Sequence, residues 1–173
     1  FPAKFQLISA MNPCPCGYYN HPEKECICGS AVVHRYLSKI SGPLLDRIDL
    51  HVEVTPVAFN ELSSAQYTEK SEAIRARVIQ AREIQAKRFM NFATIHNNAQ
   101  MNTPTVHQVC QITDSGRQLL KNAMERLGLS ARAYDRILKV SRTIADLDGA
   151  AQIDNQHLAE AIHYRDGLAD MSM

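Results

Sequence analysis

The hydrophobic pattern of this chain changes about one third of the way along it, and this change limits the folds that are possible. Residues 4–11 are apolar and lie between two prolines, and residues 49–54 alternate apolar and polar side chains, so both are predicted to be β-strands. No strand pattern follows residue 58. Since two strands do not make a stable sheet, we expect this part to depend on strands outside the chain or on a neighbouring molecule.

Helices are predicted at residues 31–40, 43–47, 69–90, 114–127, 130–147 and 154–165. The signals are apolar spacing and capping residues, and for 69–90 the absence of Gly and Pro. The clearest is 130–147, in which apolar residues recur at alternating spacings of 4 and 3, with Ser130 as N-cap and Gly149 as the stop. Thr103, before a proline, and Asp154 are predicted to cap two further helices.

The predicted architecture is an α/β part followed by an all-α part, with helix dominating overall. Residues 1–65 form the α/β part, which contains a cysteine-rich loop at 12–30. Residues 66–99 form a long connecting helix and an Asn-rich loop, and residues 100–173 form a helical unit. Because the chain starts Phe1-Pro2 and enters an apolar stretch at once, we expect it to be a fragment of a longer protein.

The cysteine-rich loop holds four of the five cysteines, Cys14, Cys16, Cys26 and Cys28. Two C-x-C pairs about ten residues apart can close a tetrahedral all-thiolate site, which suits zinc in a structural role. Gly17 and Gly29 follow the pairs and permit a tight turn at the metal, and His21 is a possible substitute ligand. Free thiols and disulfides are the alternatives, although a reducing compartment disfavours disulfides. Cys110 stands alone and is predicted to be buried.

The net charge of +1 hides a strong asymmetry along the 173 residues. Residues 66–142 contain 13 Lys or Arg against 6 Asp or Glu, whereas residues 143–173 contain 1 against 6. A basic middle section can attract phosphate groups, but a solvated helix face is the more common meaning of such a composition.

Several classes of protein are disfavoured by features that the sequence lacks. It has no apolar run of about 18 residues and no secretion signal, so we predict a cytoplasmic location and no membrane partner. None of its seven glycines is followed by Lys, so there is no phosphate-binding loop of the G-x-x-x-x-G-K type. The chain alone is therefore not expected to bind or hydrolyse a nucleotide in that manner.

Three polar residues at the ends of predicted elements are candidate site residues. Asn12 follows the first predicted strand, where α/β sheets bind ligands, although it could be an ordinary turn residue. Arg47 lies between Asp46 and Asp49, with which it could form a salt bridge. Arg132 lies in the first turn of a helix, where a cation invites an anionic partner, although Asp135 or solvent would serve equally well.

Three stretches of sequence together resemble one family. They are Phe5-Gln-Leu-Ile-Ser-Ala-Met-Asn-Pro-Cys-Pro-Cys-Gly17, Ser41-Gly-Pro-Leu-Leu-Asp-Arg-Ile-Asp49, and Leu129-Ser-Ala-Arg-Ala-Tyr-Asp-Arg-Ile-Leu138 with Arg142-Thr-Ile-Ala-Asp-Leu147. The family is the magnesium-chelatase-like AAA+ ATPases of bacteria, the YifB/ComM group linked to natural competence. The resemblance implies that the chain is the C-terminal part of such a protein, made of the remnant of an AAA+ ATPase core followed by a helical lid domain.

The resemblance also implies roles for the candidate residues. Asn12 resembles sensor 1, which positions the attacking water near the γ-phosphate, and Arg47 resembles the arginine finger that reaches the site of a neighbouring subunit. Arg132 resembles sensor 2, and whether it acts in its own subunit or in the next is left open. A guanidinium suits a delocalised phosphate charge better than an ammonium does.

For the whole protein, the resemblance implies a hexameric ring that uses ATP with magnesium to move on DNA and to drive branch migration in recombination. The isolated chain is expected to be inactive, because it lacks the phosphate and magnesium motifs. Two alternatives remain: the ATPase subunit of a magnesium chelatase, and a non-catalytic, zinc-stabilised module that binds DNA or protein.

Overall fold

A computed structural model describes residues 5–57 and 69–166, and helices dominate these residues. The helices are α1 (Ser30–Leu37), α2 (Gly42–Leu45), α3 (Ser71–Arg88), α4 (Thr103–Val109), α5 (Asp114–Leu127), α6 (Ala131–Leu147) and α7 (Asn155–Asp166), with a 3-10 turn at Asn98–Gln100 between α3 and α4.

The helix predictions are confirmed, with small differences at the ends. Ser130 caps α6, since its Oγ accepts a hydrogen bond from the Ala133 amide at 3.2 Å. At α4 the predicted cap is wrong by one residue, because Asn102 rather than Thr103 caps the helix and accepts from the Thr105 amide at 3.0 Å. Thr103 instead donates its hydroxyl proton to Asp135.

The two predicted strands do not form, and this part of the fold prediction is wrong. Residues 5–11 and 49–54 form no β-ladder with any segment that the structure describes, and the β-type pairing found there is an isolated parallel bridge between Ile112 and Ile153. A strand requires a partner for its backbone hydrogen bonds. The apolar side chains of both segments are exposed, including Ile8 at 84 % and Val54 at 86 %. The AAA+ core remnant is therefore not seen as a sheet.

The hydrophobic core lies almost entirely after residue 88, in the helices and in the turns that connect them. Its fully buried members include Phe89, Leu120, Ile137, Ile153 and Leu158. Helix α6 is central, since it contacts α3, α4 and α7. Among the described residues before 58, only Cys14 and Val33 are buried. The helical unit therefore has a core of its own, whereas the preceding part has almost none.

A buried polar network centred on Asp146 joins α3 to α6. The Asp146 carboxylate is fully buried and accepts two hydrogen bonds from Arg88, which lies 58 residues earlier in the chain. Arg142 Nε donates to it at 3.1 Å, and Asn98 Nδ2 donates at 2.8 Å. Arg142 also donates to the carbonyl oxygen of Ala150 at 2.6 Å. The network therefore ties the C-terminal end of the long helix to the helical unit.

Replacing Asp146 is expected to destabilise the chain strongly. Asp146→Ala leaves two arginine side chains, only 19 % and 3 % exposed, without their carboxylate. Removing one partner of a buried ion pair costs about 3–5 kcal/mol, which urea denaturation can measure. The matched control is Asp114→Ala, whose ion pair with Arg117 is exposed and is worth about 0–1 kcal/mol. Equal losses of unfolding free energy in the two variants would contradict this prediction.

Candidate functional site

The cysteine loop gathers its four thiols into one cluster. The Sγ atom of Cys14 lies 3.3 Å from that of Cys16 and 3.7 Å from that of Cys26, and the Cys16 and Cys26 sulfurs are 3.5 Å apart. All four ligand atoms, including that of Cys28, lie within 4.8 Å of one another. The sequence spacing therefore correctly identifies the residues that come together.

The turn that brings the thiols together depends on the residue after the first pair. The Gly17 amide donates to the Cys14 carbonyl at 3.0 Å, and Gly17 adopts a φ of 83°. Such a φ is in the left-handed region, which favours glycine. Gly17 therefore permits the turn that returns the backbone beside Cys14.

The residues present fit a four-coordinate metal ion. Tetrahedral coordination with bonds of about 2.3 Å places thiolate sulfurs about 3.8 Å apart, close to the observed separations. The Tyr18 amide, which hydrogen bonds to the Cys16 sulfur, lowers the pKa of this thiol to about 6, with neighbouring thiols adding to the effect. At the sulfurs of Cys26 and Cys28 a backbone hydrogen bond lowers the pKa, but desolvation and the neighbouring thiols outweigh it, so the pKa of Cys26 is raised to about 12 and that of Cys28 is also raised. Without a cation, the cluster therefore favours one thiolate that shares hydrogen bonds with its neighbours. A thiolate is the form that binds metal. The cluster therefore has both the geometry and the chemistry for an ion such as Zn²⁺.

His21 is not part of this cluster. Its Nδ1 accepts hydrogen bonds from the amides of Glu23 and Lys24, both at 3.1 Å. The ring thus stabilises a turn within the loop and packs edge-on against Tyr18. Cys110 lies far along the chain in the helical core, where burial raises the pKa of its thiol to about 12.

Asn12 lies at the entrance of the cysteine loop. Asn12 is exposed, and its side chain lies beside Gly17. A Cβ atom added to Gly17 would be 3.9 Å from the Cγ and Nδ2 atoms of Asn12. The strand predicted to precede it is an unpaired extended segment. The sensor role of Asn12 stays a prediction.

The segment from Asp46 to His51 is held against the ends of α6 and α7. The Asp46 carboxylate accepts from the Ser130 hydroxyl at 3.0 Å and from Arg165 at 3.3 Å. Arg136 donates to the Asp49 carboxylate, and the His51 amide donates to the Tyr164 carbonyl at 2.9 Å. These contacts span more than eighty residues of sequence, so sequence spacing could not reveal them.

Arg47 is exposed at this segment, and the salt bridge considered for it does not form. Asp46 and Asp49, its expected partners, are held by Arg165 and Arg136. The Arg47 guanidinium donates to the carbonyl oxygen of Pro43, which lies in α2. Among the residues that the structure describes, no carboxylate pairs with Arg47. Its side chain is therefore exposed and, among the described residues, bonded to a carbonyl oxygen rather than to a carboxylate.

Arg132 lies beside the same segment. Its Nη1 is 3.7 Å from an Asp46 carboxylate oxygen, and its side chain is 54 % exposed. Asp135, the alternative partner, is engaged by Thr103. The structure therefore brings Arg132 and the Arg47 segment together through Asp46, while Asn12 has no described contact with either.

Arg136, Arg165 and His51 are site residues that the sequence reasoning missed. Arg165 is 1 % exposed, and burial lowers the pKa of its guanidinium while Asp46 opposes this shift. Burial, then the Arg165 charge, lowers the pKa of His51, so its ring favours the neutral form. For Arg136 the sequence does offer a signal, since it follows Arg132 by four residues and therefore lies on the same face of the helix.

Ion pairs take up much of the charge of the basic middle section. Carboxylates pair with its arginines at positions Arg77, Arg88, Arg117, Arg132, Arg136 and Arg142. Arg75 and Arg82 instead line a shallow groove on α3 with Ile74, Val78 and Ile79. A solvated and paired surface thus accounts for much of the basic composition.

Two family models match nearly all of the chain. The model described as magnesium chelatase, subunit ChlI C-terminal, matches residues 68–165, and that described as magnesium chelatase, subunit ChlI, matches residues 1–62. The first alone covers more than half of the chain. The chain belongs to the magnesium-chelatase ChlI family. The resemblance inferred from the three motifs is thereby confirmed.

Curated relatives extend this result within the ChlI family. Over 166 residues, 95 % of the chain, it is 43 % identical to competence protein ComM of Haemophilus influenzae and 40 % identical to the uncharacterized protein YifB of Escherichia coli K12. It is 36 % identical over 165 residues to the uncharacterized protein Rv2897c of Mycobacterium tuberculosis H37Rv. The aligned residues are 31 % of ComM and of YifB and 32 % of Rv2897c, so the chain spans about one third of these relatives.

The length and apolar character of the described helices can be compared with what a membrane-spanning helix requires. None of them, within residues 5–57 and 69–166, combines the length and the apolar character needed to cross a bilayer.

Proposed function

We propose that this chain is the C-terminal part of an ATP-driven AAA+ motor that acts on DNA as a hexameric ring. In this proposal it supplies Asn12 as sensor 1, Arg47 as arginine finger and Arg132 as sensor 2, while another part of the protein holds ATP with magnesium. The similarity to competence protein ComM over 95 % of the chain supports a role in competence, and the motor class and branch migration are what the motif resemblance implies.

The observation that carries the proposal is the state of Arg47. An arginine finger must present an unpaired guanidinium to the phosphates of another subunit. Arg47 is exposed, while the carboxylates on either side of it are held by arginines from α6 and α7. A structural arginine in this acidic segment would instead pair with Asp46 or Asp49.

The position of Arg132 supports a shared target for the two arginines. Both side chains are exposed, and Asp46, which adjoins Arg47 in sequence, lies 3.7 Å from Arg132. We infer that both guanidiniums face one triphosphate, held by the neighbouring subunit. A planar guanidinium binds phosphate oxygens in pairs, so two of them can stabilise the charge that develops during hydrolysis.

The cysteine cluster is assigned a structural zinc ion in this proposal. Cys14, Cys16, Cys26 and Cys28 would hold it, and four protein ligands leave no position for a reacting water. Bound zinc would order a loop that has almost no apolar core, and this loop adjoins Asn12.

A second function, the ATPase subunit of a magnesium chelatase, is favoured by the names of the family models that match the chain. The two functions differ in the reaction that ATP drives. The test uses the full-length protein and compares ATP hydrolysis with and without branched DNA against ATP-dependent insertion of Mg²⁺ into a porphyrin. We expect DNA to stimulate hydrolysis and no Mg²⁺ to be inserted. Insertion of Mg²⁺, or hydrolysis indifferent to DNA, would overturn the motor proposal.

A further inference from the structure

Arginines from the helical unit bind the backbone on both sides of Arg47. Arg136 of α6 donates one hydrogen bond to the Arg47 carbonyl oxygen and another to the Asp49 carboxylate. Arg165 of α7 donates to the carbonyl oxygens of Ile48 and Asp46, the latter at 3.3 Å. Three consecutive carbonyl oxygens therefore each accept a hydrogen bond from a guanidinium.

These contacts fix the backbone, while the Arg47 guanidinium bonds to the Pro43 carbonyl oxygen and, among the described residues, to no carboxylate. Arg165 is 1 % exposed and Arg136 is 24 % exposed, so both are held between the helices and the segment. The same arginines occupy the carboxylates of Asp46 and Asp49, with which Arg47 would otherwise pair. Ser130, the N-cap of α6, also donates a hydrogen bond to the Asp46 carboxylate, at 3.0 Å.

We propose that Arg136 and Arg165 are positioning residues for Arg47. They clamp the Asp46–Ile48 backbone to the helical unit and keep the neighbouring carboxylates away from the Arg47 guanidinium. The inference rests on the proposed role of Arg47 in ATP hydrolysis. It adds to that role a coupling between the helices and Arg47, because a movement of α6 and α7 must then move Arg47 with them.

The expected size of the effect follows from geometry. A catalytic group displaced by about 1 Å can lose about 100-fold in rate. Without Arg136, the Arg47 backbone loses one of its fixed contacts, and Asp49 becomes free to pair with the Arg47 side chain. Both changes reduce the fraction of time in which the guanidinium is in place.

The test is Arg136→Ala in the full-length protein, measured as kcat and KM for ATP. We expect kcat to fall about 10- to 100-fold and KM to change little, since Arg136 holds a backbone and does not touch the nucleotide. The matched control is Arg117→Ala, which removes an exposed arginine paired with Asp114 on α5 and is expected to leave both constants unchanged. If Arg136→Ala does not fold, Arg136→Lys keeps the charge but loses the planar fork.

A double variant separates positioning from general destabilisation. In an Arg47→Ala background, Arg136→Ala should cause no further loss of kcat, because the group that it positions is already gone. Independent, multiplicative losses, or an unchanged kcat in the single variant while Arg47→Ala is defective, would overturn the inference. If Arg47→Ala itself hydrolyses ATP normally, the proposed finger role fails, and that result is distinct from the others.

Discussion

Replacing Arg47 by alanine in the full-length protein is expected to abolish most ATP hydrolysis while ATP binding persists. Arginine fingers supply about 10³- to 10⁵-fold in rate, and Arg47 is exposed with its neighbouring carboxylates already engaged. Binding should persist because the nucleotide is held by another part of the protein. The measurement is steady-state hydrolysis beside the affinity for a non-hydrolysable ATP analogue.

Two controls sharpen this result. Arg47→Lys keeps the positive charge but cannot bind two phosphate oxygens with a planar fork, so its rate should stay far below that of the wild type. Asp114→Ala changes an exposed charge on α5 and should hydrolyse ATP normally. Undiminished turnover by Arg47→Ala would remove the finger assignment.

The second large effect concerns the metal. The purified chain is expected to contain about one zinc ion, which Cys26→Ser should abolish after equilibration with a chelator. The loop from Asn12 to Ser30 has almost no buried apolar side chain besides that of Cys14, so the ion would be its main source of order. Mass spectrometry measures the zinc content, and the rate of proteolysis within the loop measures its order.

The chain supplies its own control for this experiment. Cys110 is a buried core residue outside the cluster, so Cys110→Ala should keep the zinc while losing some stability. Because thiols must lose protons to bind zinc, occupancy should also fall as the pH is lowered. A metal-free wild-type chain whose loop resists protease as well as the zinc-loaded form would contradict the assignment.

The helical unit could be predicted because its signals are local. Helix α6 has a capping serine and an apolar stripe at regular spacing, and both features lie within one stretch of sequence. The cysteine cluster could be predicted for the same reason, since its four residues lie within one short loop, from Cys14 to Cys28.

The features that were missed depend on residues far apart in sequence. Arg88 meets Asp146 across 58 residues, and Arg165 meets Asp46 across 119. No spacing rule predicts such pairs, so the sequence indicates a local salt bridge for Arg47, whereas Arg165 and Arg136 bind the two carboxylates. The two strand predictions were wrong for a related reason: residues 5–11 and 49–54 have suitable side chains but no partner strand among the described residues.

The anchoring of α3 has a mechanical consequence. Residues 71–80 are all exposed and burial begins at Ala81, while the contacts of α3 with the Asp146 network are made by Gln85 and Arg88. At about 1.5 Å per residue, the exposed half extends roughly 15 Å beyond its support. A force applied near Ser71 would therefore act on α6 through the hydrogen bonds between Arg88 and Asp146, and α6 carries Arg136, which binds the Arg47 backbone.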